Sequence, residues 1–189
     1  MVDRRTLLTA FFATGVLGMG VSTGQAHTPY RQWKVYRQRH LLIGASREDT
    51  PTYPLAKGIV AVLNEYLPTA SARVTRERTR YRLGSLFSTN QLQFILVSMS
   101  DVIDIANGEG DFSEFGPVEL GIVYQFGAHL LVARTDVPGN HTWLITRTLM
   151  DFGSSIPGAT TPGEKSIALH SGTRTAIRLE PQPEPLKTD

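Results

Sequence analysis

Phe94-Ile95-Leu96-Val97-Ser98-Met99-Ser100-Asp101 changes character at its midpoint. The first four residues are wholly apolar and β-favouring, the pattern of a strand covered on both faces. Ser98 and Ser100 then offer hydroxyls to the free N–H groups of a helix over residues 100–106, which Asn107-Gly108 ends. A doubly covered strand that leads straight into a helix is the repeating unit of an α/β sheet.

The same unit occurs twice upstream. Leu41-Leu42-Ile43 is a compact apolar run closed by Gly44. Pro54 then suits a first helical position, and Leu55, Ile59, Val62, Leu63 and Tyr66 follow at helical spacing until Pro68. Ala72-Arg73-Val74-Thr75 reads as a second strand. Tyr81 to Ser88 reads as a helix with Leu83, Leu86 and Phe87 on one face. The order β-α-β-α-β-α predicts a single three-layer α/β domain over residues 40–179, with a mostly parallel sheet. Downstream, Leu120 to Tyr124 and Leu130 to Ala133 are further strands, and Asn140 is the expected N-cap of a helix carrying Leu144, Ile145, Leu149 and Met150. Gly153 to Gly163 reads as a loop, Ser171 to Leu179 as a short helix, and residues 180–189 as a disordered, proline-rich tail.

The start of the chain has the character of an export signal. Arg4 and Arg5 precede an uncharged apolar or small stretch from Leu7 to Val21, and Gly24-Gln25-Ala26 has the small residues of a cleavage site. The stretch is shorter than the roughly 20 residues a spanning helix needs. Asp3-Arg4-Arg5-Thr6-Leu7-Leu8 is similar to a twin-arginine signal, with Asp where Ser or Thr is usual, so the twin-arginine and Sec routes both remain open. Residues 1–26 are therefore expected to be a removed signal and the mature protein periplasmic. Residues 27–39 form a polar arm with Tyr30, Trp33 and Tyr36 spaced by three. The chain has no cysteine, which excludes disulfides, thiolate metal sites and a cysteine nucleophile. Its formal charge of +2 includes the signal's own arginines and gives no reason to expect nucleic acid.

From Leu41 to Ala133 the chain resembles the first lobe of the TAXI-type solute-binding proteins, the extracytoplasmic receptors of tripartite TRAP transporters. Ala106-Asn107-Gly108-Glu109-Gly110-Asp111-Phe112 is similar to that family's Tyr-Asn-Gly-Glu-Gly-x-Phe, and Tyr53-Pro54-Leu55 to the Tyr-Tyr-Pro opening its first helix. The strand entering an Asp-capped helix at 94–101, the segment Leu131 to Pro138, and Ala168-Leu169-His170-Ser171-Gly172 resemble later family segments in the family's order. The resemblance implies one lobe of a type II periplasmic binding protein, with the second lobe and its half of the cleft missing.

In such an architecture ligands sit at the carboxyl ends of the strands, beside helix N-termini. The first loop there, Gly44 to Tyr53, contains Ser46 and Tyr53. It carries Arg47-Glu48-Asp49 where the family is glycine-rich. The second carries Arg76, Arg78, Arg80 and Arg82, guanidiniums able to grip a carboxylate or phosphate. The third presents Ser98 and Ser100, and Gln125 adjoins the same mouth. These residues fit a small anionic or amino-acid-like solute. They equally fit a solvated charged face with ordinary helix caps. The five histidines show no metal-ligand spacing, and no nucleophile elbow or phosphate loop is present, so no cofactor, metal or catalysis is expected. Two functions remain: a one-lobed TRAP-type receptor, used alone, as a homodimer or with a TRAP membrane component, and an interaction module for a membrane sensor or periplasmic enzyme. On the second reading, ligand binding left with the second lobe.

Overall fold

The computed structural model describes residues 39–163 and 167–184. The expected signal, nearly all of the aromatic arm and the end of the tail lie outside the described residues. Six strands form one open sheet in the order β2-β1-β3-β5-β4-β6: β1 Leu42–Ser46, β2 Arg73–Glu77, β3 Phe94–Ser98, β4 Leu120–Phe126, β5 His129–Arg134 and β6 Ala159–Thr160. Five helices accompany them: α1 Thr52–Tyr66, α2 Arg80–Ser88, α3 Met99–Asn107, α4 Gly139–Phe152 and α5 Ser171–Ile177. Among the described residues no helix is long and apolar enough to cross a membrane.

Alternation along the strands builds the layers. Ile43, Ala45, Phe94, Leu96, Leu131 and Ala133 face the core under α1 and α4. Leu42, Ile95, Val97, Leu130 and Val132 face the core under α2, α3 and the 3-10 turn Gly110–Phe115. The expected three-layer α/β domain is therefore present. The Tyr66 and Phe152 rings stack at 3.9 Å at the ends of α1 and α4.

The sheet is mixed, which corrects the expectation of a mostly parallel one. β1 pairs in parallel with β2 and β3, whereas β5 lies antiparallel between β3 and β4, and β6 lies antiparallel beside β4. The reason is the connection after β4. Phe126 and His129 are joined by Gly127-Ala128, and Gly127 takes φ 60°, as a two-residue hairpin with glycine first requires. A turn that short cannot carry a crossover, so β5 must run back against β4. The predicted loop 153–163 also contains β6, whose pairing covers two residues of β4. Such a short edge strand has too little pattern to be read in advance.

Four helix starts differ from the sequence reading by one or two residues, and α2 begins at Arg80 rather than Tyr81. α1 begins at Thr52 rather than Pro54, with the Thr52 hydroxyl donating to the Asp49 carbonyl at 2.7 Å. α3 begins at Met99, and Ser98 is its cap, accepting the Asp101 N–H at 3.2 Å. α4 begins at Gly139, so Asn140 lies within the first turn and no side chain caps that helix.

The closing segment 168–170 is tied to β4. The Ile122 N–H donates to the Ala168 carbonyl at 3.0 Å, and the His170 N–H donates to the Ile122 carbonyl at 2.9 Å. A Cβ on Gly121 would lie 2.7 Å from the His170 Cα, so only glycine permits this approach.

Candidate functional site

β1, β2, β3 and β4 point the same way, and their carboxyl ends form one rim. The structure brings Ser46, Tyr53, Arg76, Arg78, Arg80, Ser98 and Ser100 to this rim around β1, β2 and β3. Gln125 ends up apart, because β5 separates β4 from β3, and its side-chain amide donates to the Gly127 carbonyl at 2.8 Å.

The first loop is held by its own side chains. The Ser46 side chain is buried, and its hydroxyl accepts the Glu48 N–H at 3.1 Å. Thr52 donates to the Ser46 carbonyl at 3.2 Å, pinning α1 to the end of β1. At the sheet edge the Arg76 guanidinium lies over the Tyr53 ring, 4.3 Å from its centroid, a cation–π contact that uses both residues. Arg47 and Arg78 are exposed.

Arg80 is where the ion pairs converge. Its backbone N–H, at the start of α2, donates to the Glu48 carboxylate at 2.9 Å. Its guanidinium donates to Asp101 at 2.8 Å and to Asp111 at 3.2 Å. A helix N-terminus attracts anions through its free N–H groups and its dipole. Here Glu48 already fills that role. The Asp101 side chain is only 3% exposed. Burial pushes its carboxyl above the usual aspartate range, against the opposing pull of Arg80 and Ser98.

Across the rim, the His129 Nε2 lies 3.1 Å from an Asp49 carboxylate oxygen, while the other Asp49 oxygen is buried without a hydrogen-bond partner. Ser98 and Ser100 hydroxyls lie 2.9 Å apart, so both serines are engaged with each other or with the α3 cap. Glu48, Asp101 and Asp111 therefore gather on Arg80 and Asp49 on His129, while Arg47, Arg76 and Arg78 stand outside these pairs at the same rim. Sequence reasoning singled out Arg80 but assigned no binding role to Asp101 or His129. The charged run Arg47-Glu48-Asp49 was the one local sign of the network at this mouth. Among the described residues no His, Cys, Asp or Glu group has the arrangement to hold a metal ion.

The opposite end of the sheet is more open. A groove of about 750 Å³ lies at the amino ends of β1 and β3, floored by Leu42, Leu92, Phe94 and Ile145. No family model matches the chain, and no curated protein matches it.

Proposed function

We propose that this chain is an exported, non-catalytic interaction module, shaped like one lobe of a TAXI-type, type II solute-binding protein, whose strand-end mouth no longer takes a solute. The observation that carries the reading is the Glu48–Arg80–Asp101/Asp111 network. An incoming carboxylate or phosphate would meet a helix N-terminus already filled and a guanidinium already paired twice. The partner this reading implies is a membrane sensor or periplasmic enzyme docking on the strand-end face. The rival reading, a one-lobed receptor for a small anion, is favoured by exposed Arg47 and Arg78, which form no ion pair among the described residues.

Two measurements separate them. Thermal unfolding across carboxylates, amino acids and phosphates should leave the wild type unmoved. A true ligand at 100 times its dissociation constant would add about 2.7 kcal/mol, or about 5–10 °C in a domain of this size. Glu48→Ala removes the carboxylate that accepts the Arg80 N–H but leaves the Thr79 cap of α2 in place; it should cost about 1 kcal/mol and should newly permit a shift with phosphate. A photo-crosslinker at Arg47 or Arg78 in the exported chain should give a discrete adduct, and one at Asp151 none. A wild-type shift that disappears in Arg80→Ala, with no adduct at either rim position, would transfer the function to the receptor reading.

A further inference from the structure

The geometry points to a second binding site, in the groove at the amino ends of β1 and β3, for an amphipathic carboxylate: a single acid group on an apolar body. This inference does not rest on the interaction-module reading and survives its failure.

The groove lies at the amino ends of β1 and β3, between residues 39–42 and 90–94, and is walled on one side by the start of α4. Its volume, about 750 Å³, falls within the roughly 300–1,000 Å³ of sites that hold whole small molecules. Half-buried Leu41, Leu67 and Leu144 line it with accessible apolar surface that would gain from covering a hydrocarbon or aromatic body, above buried Leu42, Leu92, Phe94 and Ile145.

The polar groups of the groove select the head group. Its lining includes Arg39, His40 and His141 but no aspartate or glutamate. His40 already bonds the Ser71 carbonyl at 3.0 Å, so Arg39 and His141 are the side chains left to meet an anion. The first turn of α4 adds its own attraction. That helix has 14 residues, no side-chain cap and no acidic residue in its first turn, and Asn140 and His141 place this turn in the groove wall. At the strand-end rim, by contrast, the N-terminus of α2 is met by Glu48 and the Arg80 guanidinium is paired twice. Among the described residues the groove combines apolar lining, basic side chains with no carboxylate in the lining, and an uncapped helix start.

The test uses decanoate and 3-phenylpropionate, with decanol and decanamide as neutral matches, titrated into the full-length chain by calorimetry below any micelle concentration. Decanoate should bind at least tenfold more tightly than decanol. The pair Arg39→Gln with His141→Gln should weaken decanoate at least tenfold and leave decanol unchanged. Leu144→Trp, which fills the groove from α4, should abolish both. Phe152→Ser, on the exposed aromatic stack and away from the groove, should bind like wild type, and circular dichroism should show every variant folded. Equal affinity for acid and alcohol, or decanoate binding indifferent to the Arg39/His141 pair, would overturn the assignment. So would the absence of heat with every acid from hexanoate to dodecanoate.

Discussion

Arg80→Ala is expected to lower the stability of the domain by about 2–3 kcal/mol at pH 7.5, read as a fall in the urea midpoint. Removing one partner of a buried pair costs about 3–5 kcal/mol because the other charge stays buried. The Arg80 side chain is 40% exposed, so solvent already screens part of the interaction and the lower figure applies. The pH dependence has a definite sign. Asp101 is raised by burial above the ordinary aspartate value of 3.8 even with Arg80 beside it. The folded state therefore holds this proton more tightly than the unfolded chain, and the group loses stability as pH rises from about 4 through its folded value. Without Arg80 the carboxyl rises further, so the variant's deficit is largest at neutral pH and shrinks on acidification. Arg80→Ala combined with Asp101→Asn should recover most of the loss, since no charge is left buried. A deficit under 0.5 kcal/mol that does not change with pH would mean that Asp101 is compensated without Arg80.

The second large effect concerns His170, at the join between the sheet and α5. The imidazole is buried, and its Nδ1 accepts the Gly172 N–H at 3.4 Å and lies 2.8 Å from the Thr142 hydroxyl. Its Nε2 is buried without a hydrogen-bond partner. Burial holds the ring below the ordinary histidine value of 6.5, against a weaker upward pull from the backbone of Arg134 and Val137 and from Asp136. The unfolded chain takes the proton first, so stability is intact above pH 6.5 and falls as pH drops below it. One proton limits the slope to about 1.4 kcal/mol per pH unit. His170→Asn keeps a competent helix cap but leaves a partly filled site, at a cost of about 1–2 kcal/mol at pH 7.5. That gap should narrow steadily toward pH 5, because the variant has no buried imidazole to protonate. Parallel stability curves for the two proteins from pH 7.5 to 5 would remove His170 as the acid-sensitive group.

The strand at 94–97, the α1 helix and the α/β order were all legible because each rests on local periodicity. Phe94 and Leu96 face one layer while Ile95 and Val97 face the other, and a four-residue apolar run already demands two covers. The Ser98 cap was legible for the same reason, since a hydroxyl reaches only three residues along the chain to the Asp101 N–H. The expected N-cap at Asn140 failed because Pro138 and Gly139 can start the helix earlier without it.

By itself the sequence determined the class of fold, the position of nearly every element and the absence of sulfur chemistry, because these follow from residue type and short-range spacing. Tertiary structure alone decided that β5 is inserted between β3 and β4, and which groups fill the strand-end mouth. Glu48 reaches the Arg80 N–H across 32 residues, and His129 reaches Asp49 across 80. Whether an arginine is free to hold a ligand depends on which carboxylates the fold delivers beside it. Electrostatic energy follows distance in space, and chain spacing carries no record of that distance until the sheet has closed.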